Sequence, residues 1–157
     1  MTKLKFLLAK NICTLFGLGF VSKMPGTLGS LVALLIGLLI LISFSYIFFI
    51  VFFIILLVIS LYTVFIYQTK VGKSDKSEIV IDEVLGQLIP LAFINFNYLE
   101  IILAFLLFRI FDIIKFFPAN IIDKKYSNHY GVIFDDIIAG IQATITLLII
   151  INLYDKF

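Results

Sequence analysis

The sequence predicts an all-α membrane protein, a small polytopic helical bundle of about five membrane-embedded helices in one domain spanning residues 1–157. Hydrophobic residues make up 62% of the chain and charged residues only 14%, whereas soluble domains average roughly 25% charged residues. The mean hydropathy is +1.19. No charge occurs in the 46 residues between Lys23 and Lys70, and one membrane-spanning helix needs only ~20 residues. A chain this short cannot hide so much apolar surface from water, which excludes an ordinary soluble domain.

The charge-free stretch predicts two spans joined by a tight turn. The polar segment 43–46 interrupts it, so we place the first span at residues 28–43 and the second at residues 46–67. Residues 4–20 are expected to form an amphipathic or re-entrant helix in the membrane interface. They have the basic start of a signal peptide but no small-residue cleavage pattern, so we expect them to remain in the mature protein.

Three further spans are predicted in the second half of the chain, at residues 79–96, 98–117 and 137–154. The first two carry several charges, whereas the last is uncharged and follows directly on two aspartates. Small side chains near the start of the last span predict a close contact with a neighbouring helix; they are Ala139, Gly140 and Ala143.

The basic residues predict the orientation of the bundle. They precede the first span and follow the second and fourth spans, whereas the connections at residues 43–46 and 95–97 carry none. By the positive-inside rule, the amino terminus and both polar loops are cytoplasmic and the carboxyl end is external. The net charge of only +2 argues against a nucleic-acid partner.

Five of the ten acidic residues are predicted to meet at the cytoplasmic ends of three helices: Asp82, Glu83, Asp112, Asp135 and Asp136. Carboxylates at membrane depth are costly and usually mark a functional site, and five of them together would repel one another. A bound divalent cation relieves this repulsion, and oxygen ligands favour Mg²⁺. As an alternative, acids at helix starts serve as partners of the helix dipole. Asp112 does not fit that alternative, because it lies near a predicted carboxyl end.

Two basic residues flank Asp112 on the same helix. Arg109, Asp112 and Lys115 are spaced i, i+3, i+6, which places them on one face about 120° wide. They form either a structural salt-bridged triad or a receptor for a phosphate group.

The segment 24–30, MPGTLGS, combines a rigid proline, two glycines and two hydroxyls before the first span. Backbone amides at such a helix start, together with Thr27, would suit a phosphate. An ordinary helix start capped by Thr27 or Ser30 is equally consistent with the spacing.

Other phosphate chemistries lack the residues they require. Cys13 is the only cysteine and has no arginine six residues later, so we interpret it as an apolar filler. His129 is the only histidine, too few for a mechanism with a histidine nucleophile and a histidine acid. Neither an Asp-x-Asp pair nor a Walker A loop is present in the sequence. Water activated by a metal ion is the chemistry that remains.

Four segments together resemble the phosphatidylglycerophosphatase A family: MPGTLGS (24–30), EIVIDEVLGQ (78–87), FRIFDIIKFFP (108–118) and GVIFDDIIAG (131–140). The resemblance implies a multi-pass enzyme of the bacterial inner membrane that removes the terminal phosphate of phosphatidylglycerophosphate with Mg²⁺, at a site facing the cytoplasm. The acidic motif positions of the family correspond to Asp82, Glu83, Asp112, Asp135 and Asp136, and its basic positions to Arg109 and Lys115.

On this reading the five acids are the expected metal ligands, one of them serving as general base toward water, and Arg109, Lys115 and Thr27 are the expected phosphate-binding residues. Two departures from the family pattern concern loops. Phe116 replaces a proline that usually follows the lysine, and residues 127–131 contain fewer glycines than usual. Both changes leave every charged position intact.

Two other functions use similar residues. A small cation or proton transporter would also contain intramembrane carboxylates, but near the middle of the bilayer rather than at one interface. A metal-dependent phospholipid transferase would require a different spacing of aspartates, which is absent from the sequence.

Overall fold

A computed structural model describes residues 2–21, 23–72, 77–126 and 128–154, apart from the side chains of Asp123 and Lys124. Across these residues every regular secondary-structure element is a helix, which confirms the predicted all-α class. The helices are α1 (Lys3–Cys13), α2 (Leu18–Val21), α3 (Pro25–Ser43), α4 (Tyr46–Val71), α5 (Ile81–Leu91), α6 (Tyr98–Ile114), α7 (Ala119–Lys125) and α8 (His129–Tyr154).

Among the described residues, three helices are long and apolar enough to cross a membrane: α3, α4 and α8, with 19, 26 and 26 residues. The first two match the predicted spans, and the turn between them lies at the predicted polar break. There Ser45 caps α4 by accepting a hydrogen bond from the Phe48 amide at 3.3 Å. Many of their apolar side chains are exposed, as helices surrounded by lipid require; Leu39 on α3 is 64% exposed.

Helix α5 is much shorter than the span predicted at residues 79–96. Its 11 residues extend about 16 Å, roughly half of a ~30 Å hydrocarbon core. Pro90 lies in its last turn, where it cannot donate a backbone hydrogen bond, and the helix ends one residue later. Helix α6, with 17 residues, extends about 25 Å. The count of five spans is therefore not confirmed.

Helix α8 begins eight residues before the predicted start at residue 137. Asn128 caps it, since its Oδ1 accepts a hydrogen bond from the Gly131 amide at 3.2 Å. Asp135 and Asp136 consequently lie nearly two turns inside the helix rather than at its beginning. The dipole explanation for these two acids is wrong, because the effect of the dipole fades beyond the first turn.

The predicted interfacial helix at residues 4–20 forms two helices, α1 and α2. They are separated at Leu15, Phe16 and Gly17, whose φ angles are 46°, 55° and 96°. Helix α1 packs on α4, and the Phe6 ring stacks on Tyr67 with centroids 5.9 Å apart.

Helix α5 lies at the centre of the bundle, packed against α3, α6 and α8. It crosses α8 where Gly86 meets Gly140: a Cβ on Gly140 would collide with the Gly86 carbonyl oxygen, and a Cβ on Gly86 would lie 2.6 Å from the Asp136 carbonyl oxygen. The small-residue contact predicted for the last span is confirmed. This crossing brings the acidic turns of the two helices together.

Candidate active site

A cavity of about 420 Å³ lies between the first turns of α3 and α5, the end of α6 and the second turn of α8. Its lining contains all seven charged residues singled out from the sequence: Asp82, Glu83, Arg109, Asp112, Lys115, Asp135 and Asp136. All five acids are buried or half-buried. Residues separated by more than fifty positions along the chain thus share one site.

Three of the acids form a compact cluster. Asp82, Glu83 and Asp136 each offer one carboxylate oxygen, and these oxygens all lie within 4.8 Å of one another. The second oxygen of Glu83, Oε2, is buried without a hydrogen-bond partner among the described residues. Buried, closely spaced carboxylate oxygens are the ligands that a hard divalent cation prefers, so this donor set fits Mg²⁺.

The cluster follows from the α5–α8 crossing. Asp82 precedes Gly86 by four residues and Asp136 precedes Gly140 by four, so each aspartate lies one turn before the glycine contact. Local hydrogen bonds help to fix the aspartate side chains. Asp82 Oδ1 accepts from the amide of the next residue at 3.1 Å, and Asp135 Oδ1 does the same from the Asp136 amide at 3.1 Å.

The other two acids are paired with the two basic residues. Arg109 Nη1 donates to Asp112 Oδ2 on its own helix, and Lys115 Nζ donates to Asp135 Oδ2 on α8 at 2.6 Å. Lys115 ends α6 in the left-handed region, with φ 50°, a conformation that costs a non-glycine residue about 1–2 kcal/mol. Arg109 Nε is buried and has no hydrogen-bond partner among the described residues. The cavity wall therefore holds two basic side chains, Arg109 and Lys115, each paired with one acid.

The segment 24–30 contributes its first three residues to the cavity lining, but not Thr27. Met24, Pro25 and Gly26 line the cavity, whereas Thr27 is not among its lining residues. The predicted capping by Thr27 or Ser30 is wrong, because α3 begins earlier, at Pro25. Met24 occupies the N-cap position, and its side chain makes no capping hydrogen bond.

Two residues of this segment support the site in ways the sequence did not indicate. Ser30 is fully buried; its Oγ donates to the Gly26 carbonyl at 2.9 Å and accepts from Arg109 Nη1 at 3.3 Å. A Cβ on Gly26 would collide with Glu83 Oε1 and lie 3.2 Å from Arg109 Nη1. The sequence shows a glycine at position 26 in a segment already singled out as a candidate phosphate site. It could not show that this glycine leaves room for Glu83 and Arg109, because both are distant along the chain.

Three other residues with polar or titratable side chains do not line the acidic cavity: Cys13, His129 and Gln87. Cys13 is completely buried, and burial raises the pKa of its thiol to about 11, in keeping with an inert filler. The His129 ring contacts Phe65 and Tyr130, with centroids 5.1 and 4.1 Å away. Gln87 Nε2 donates to the Ala104 carbonyl at 3.4 Å, an interhelical hydrogen bond between α5 and α6.

The sequence matches the family described as Phosphatidylglycerophosphatase A over residues 11–151. It is 35% identical over 136 residues to the Phosphatidylglycerophosphatase A of Haemophilus influenzae, covering 86% of this chain and 83% of that protein. It is 32% identical to a putative phosphatidylinositol-3-phosphatase of Bacteroides thetaiotaomicron, covering 88% and 90% of the two chains. It is 32% identical to the Phosphatidylglycerophosphatase A of Escherichia coli, covering 80% and 73%. No solved structure matches the chain.

Proposed function

This chain belongs to the phosphatidylglycerophosphatase A family, and on that basis we propose that it converts phosphatidylglycerophosphate to phosphatidylglycerol and inorganic phosphate with Mg²⁺ as cofactor. Membership makes it a phosphoric monoester hydrolase. The observation that carries the proposal is the cavity in which five carboxylates and two basic side chains converge at the ends of apolar helices. Two of its relatives are named for this substrate.

Asp82, Glu83 and Asp136 would hold the Mg²⁺ ion. The proposal rests on the spacing of their oxygens and on the unpartnered Glu83 Oε2. When bound, Mg²⁺ supplies Lewis-acid stabilisation of charge on the phosphate oxygens. It would also offset the mutual repulsion of the three carboxylates.

Arg109 and Lys115 would bind the phosphate group of the lipid. Their ion pairs with Asp112 and Asp135 hold both cations at the cavity wall, so little reorganisation is needed when a phosphate enters. In the transition state they would stabilise the charge that builds on the phosphate oxygens. We assign Thr27 no direct contact with the phosphate, since it lies outside the cavity lining.

The chemical step would be attack of water on the terminal phosphorus atom. The phosphorus–oxygen ester bond breaks, the glycerol oxygen leaves as an alcohol, and phosphate remains in the cavity. One of the five cavity carboxylates would accept the proton that water loses, and general base catalysis of this kind contributes about 10²–10⁴-fold. Return of a proton from that carboxyl group, directly or through water, to the departing glycerol oxygen completes the alcohol and regenerates the carboxylate.

We place the protein in the bacterial inner membrane with its cavity facing the cytoplasm. Support comes from the distribution of basic residues, which flank the cavity side of the bundle and are absent from the connections at residues 43–46 and 95–97. Phosphate would then be released on the same side of the membrane as the basic loops.

A transporter is less consistent with the positions of the acids. Asp82 and Glu83 lie in the first turn of α5 and Asp112 in the last turn of α6, whereas an ion path would require carboxylates near the middle of the bilayer.

The deciding experiment measures inorganic phosphate released from phosphatidylglycerophosphate by the purified protein in mixed micelles. We expect turnover with Mg²⁺ and its loss with EDTA, restored by adding Mg²⁺ back. Phosphatidylinositol 3-phosphate, tested in parallel, examines the headgroup. Absence of turnover from a well-folded sample on phosphatidylglycerophosphate would contradict the proposed function.

A further inference from the structure

Apolar grooves on the surface of the bundle differ in whether they join the acidic cavity. One groove, of about 280 Å³, lies between α7 and the first turns of α8. Its lining residues are Ile122, Tyr126, Asn128, Tyr130, Gly131 and Phe134. We call it the α7–α8 groove.

The α7–α8 groove adjoins the acidic cavity. Tyr126 and Gly131 line both spaces. A Cβ on Gly131 would collide with the Tyr126 carbonyl oxygen, so the glycine lets α8 approach Tyr126 closely at the boundary shared by cavity and groove. A ligand with a polar end and an apolar end can therefore occupy both spaces at once.

The outer part of the groove is aromatic and accessible. Tyr130 and Phe134 lie one turn apart on α8 with rings stacked at 6.3 Å, and they are 51% and 38% exposed. By contrast, the cleft between α4 and α5 is lined by Phe49, Ile50, Phe53, Leu88, Ile89, Ala92 and Phe93, and none of these residues lines the acidic cavity.

A basic residue stands at the junction of the two spaces. Lys125 Nζ lies 5.6 Å from the centroid of the Tyr126 ring, the ring shared by cavity and groove. In phosphatidylglycerophosphate a negatively charged phosphodiester separates the terminal phosphate from the diacylglycerol. A lipid with its terminal phosphate in the cavity and its acyl chains in the groove would bring that phosphodiester close to Lys125.

We propose that the α7–α8 groove binds the diacylglycerol portion of the lipid substrate, with Tyr130 and Phe134 contacting the acyl chains and Lys125 the phosphodiester. The inference rests on the proposed function. In this proposal the substrate enters the cavity laterally from the membrane, through the groove. The groove residues then determine the affinity for the lipid and not the rate of the chemical step.

The test compares Phe134→Ala, Tyr130→Ala and Lys125→Gln with the wild-type protein on dioleoyl phosphatidylglycerophosphate in mixed micelles. Each groove variant should raise KM about tenfold, since an apolar side chain or a charge contact of this kind contributes about 1–2 kcal/mol, while kcat stays within about twofold. Phe93→Ala in the α4–α5 cleft is the matched control, because it removes a phenylalanine that is 46% exposed, against 38% for Phe134, and it should leave both constants unchanged.

Two kinetic results would contradict the proposal that the α7–α8 groove binds lipid and would leave the proposed function intact. In one, the groove variants match the wild type and Phe93→Ala. In the other, they lose kcat with KM unchanged, which would mean that they act on the chemistry or the fold.

A labelling experiment separates failure of the groove from failure of the function. Dioleoyl phosphatidylglycerophosphate carrying a diazirine near the glycerol end of one chain is photolysed in the presence of the wild-type protein. Labels within residues 119–134 support the groove, and labels confined to α4 and α5 overturn it. Because the readout does not require turnover, it judges the groove even if no phosphate is released.

Discussion

At the scale of single residues, the cavity places like charges closer together than a folded protein ordinarily tolerates. Asp82, Glu83 and Asp136 belong to two helices, are buried or half-buried, and bring their oxygens within 4.8 Å of one another. Without a cation this arrangement destabilises the fold, because burial and mutual repulsion both disfavour ionised carboxylates. If the cluster binds Mg²⁺ as proposed above, the cation would relieve this repulsion, and Mg²⁺ binding would be coupled to stability.

A variant that neutralises one carboxylate of the cluster distinguishes the relief of repulsion from the loss of a cation ligand. Asp82→Asn and Asp136→Asn should each lower Mg²⁺-dependent phosphate release at least ~100-fold, because a cation ligand is lost. Without Mg²⁺ the melting temperature of either variant in detergent should equal or exceed that of the wild type, and the increase in melting temperature caused by Mg²⁺ should disappear. Phosphate assays and thermal melts with and without Mg²⁺ measure both quantities.

Glu100→Gln is the matched control for these variants. Glu100 is also a buried carboxylate, but it lies in the first turn of α6 and accepts a hydrogen bond from the Asn95 amide at 2.5 Å. Its variant should keep both the activity and the Mg²⁺-induced stabilisation. Full activity in both cluster variants would refute the metal site.

Ser30 offers a second prediction, since it connects Arg109 to α3. Ser30→Ala removes the oxygen that accepts from Arg109 Nη1 and should lower kcat about tenfold through looser positioning of the guanidinium. Ser60→Ala is the control. Ser60 is also fully buried, but its Oγ has no hydrogen-bond partner among the described residues. Equal kinetics for the two variants would exclude a positioning role for Ser30.

At the scale of helices, the α5–α8 crossing explains how the three acids of the cluster come together. Gly86 and Gly140 allow backbone contact, and the acids one turn earlier meet as a consequence. Hydropathy alone could not predict this geometry. It overestimated the length of α5, and it started α8 eight residues late, because charged residues inside a helix lower its apparent hydrophobicity.

Gly140→Ala tests the crossing. The added Cβ collides with the Gly86 carbonyl oxygen, so the helices must separate, at a cost of about 1–3 kcal/mol in the free energy of unfolding. Activity and the Mg²⁺-induced shift in melting temperature should fall together. Ile141→Ala, on the exposed side of α8, should change neither. A Gly140→Ala protein with wild-type activity would show that close contact at this point is not required.

At the scale of the whole molecule, the short central helix α5 connects the acidic cavity with the opposite end of the α3–α4 hairpin. Helix α5 begins beside Gly29 of α3, where a Cβ would lie 2.9 Å from the Val80 carbonyl oxygen. It ends near Gly37, where a Cβ would lie 2.8 Å from Leu91 Cδ1 and 3.7 Å from Phe49. Phe49 belongs to the first turn of α4, so α5 and the turn after it reach toward the side opposite the acidic cavity.

Cysteine labelling in membrane vesicles tests the proposed orientation. Cys13 is buried and its thiol has a raised pKa, so it should contribute little background. With an impermeant maleimide, Lys125→Cys should be labelled only from the cytoplasmic side, and Tyr98→Cys, which replaces an 85% exposed side chain, only from the opposite side. Labelling of both from the cytoplasmic side would mean that the turn between α5 and α6 does not reach the external face, and it would contradict the proposed orientation.

From the amino-acid sequence we could predict the helical class, the positions of α3 and α4, the family, and which charged residues line the cavity. We could do so because charges are rare in this chain, so that each one at membrane depth indicates a function. The tertiary structure was needed to show which of those residues contact one another. It grouped Asp82, Glu83 and Asp136 as a cluster, paired Asp112 with Arg109 and Asp135 with Lys115, and gave Ser30 and Gly26 supporting roles. Distances between helices depend on which small residues meet at a crossing, and that contact joins positions about fifty residues apart.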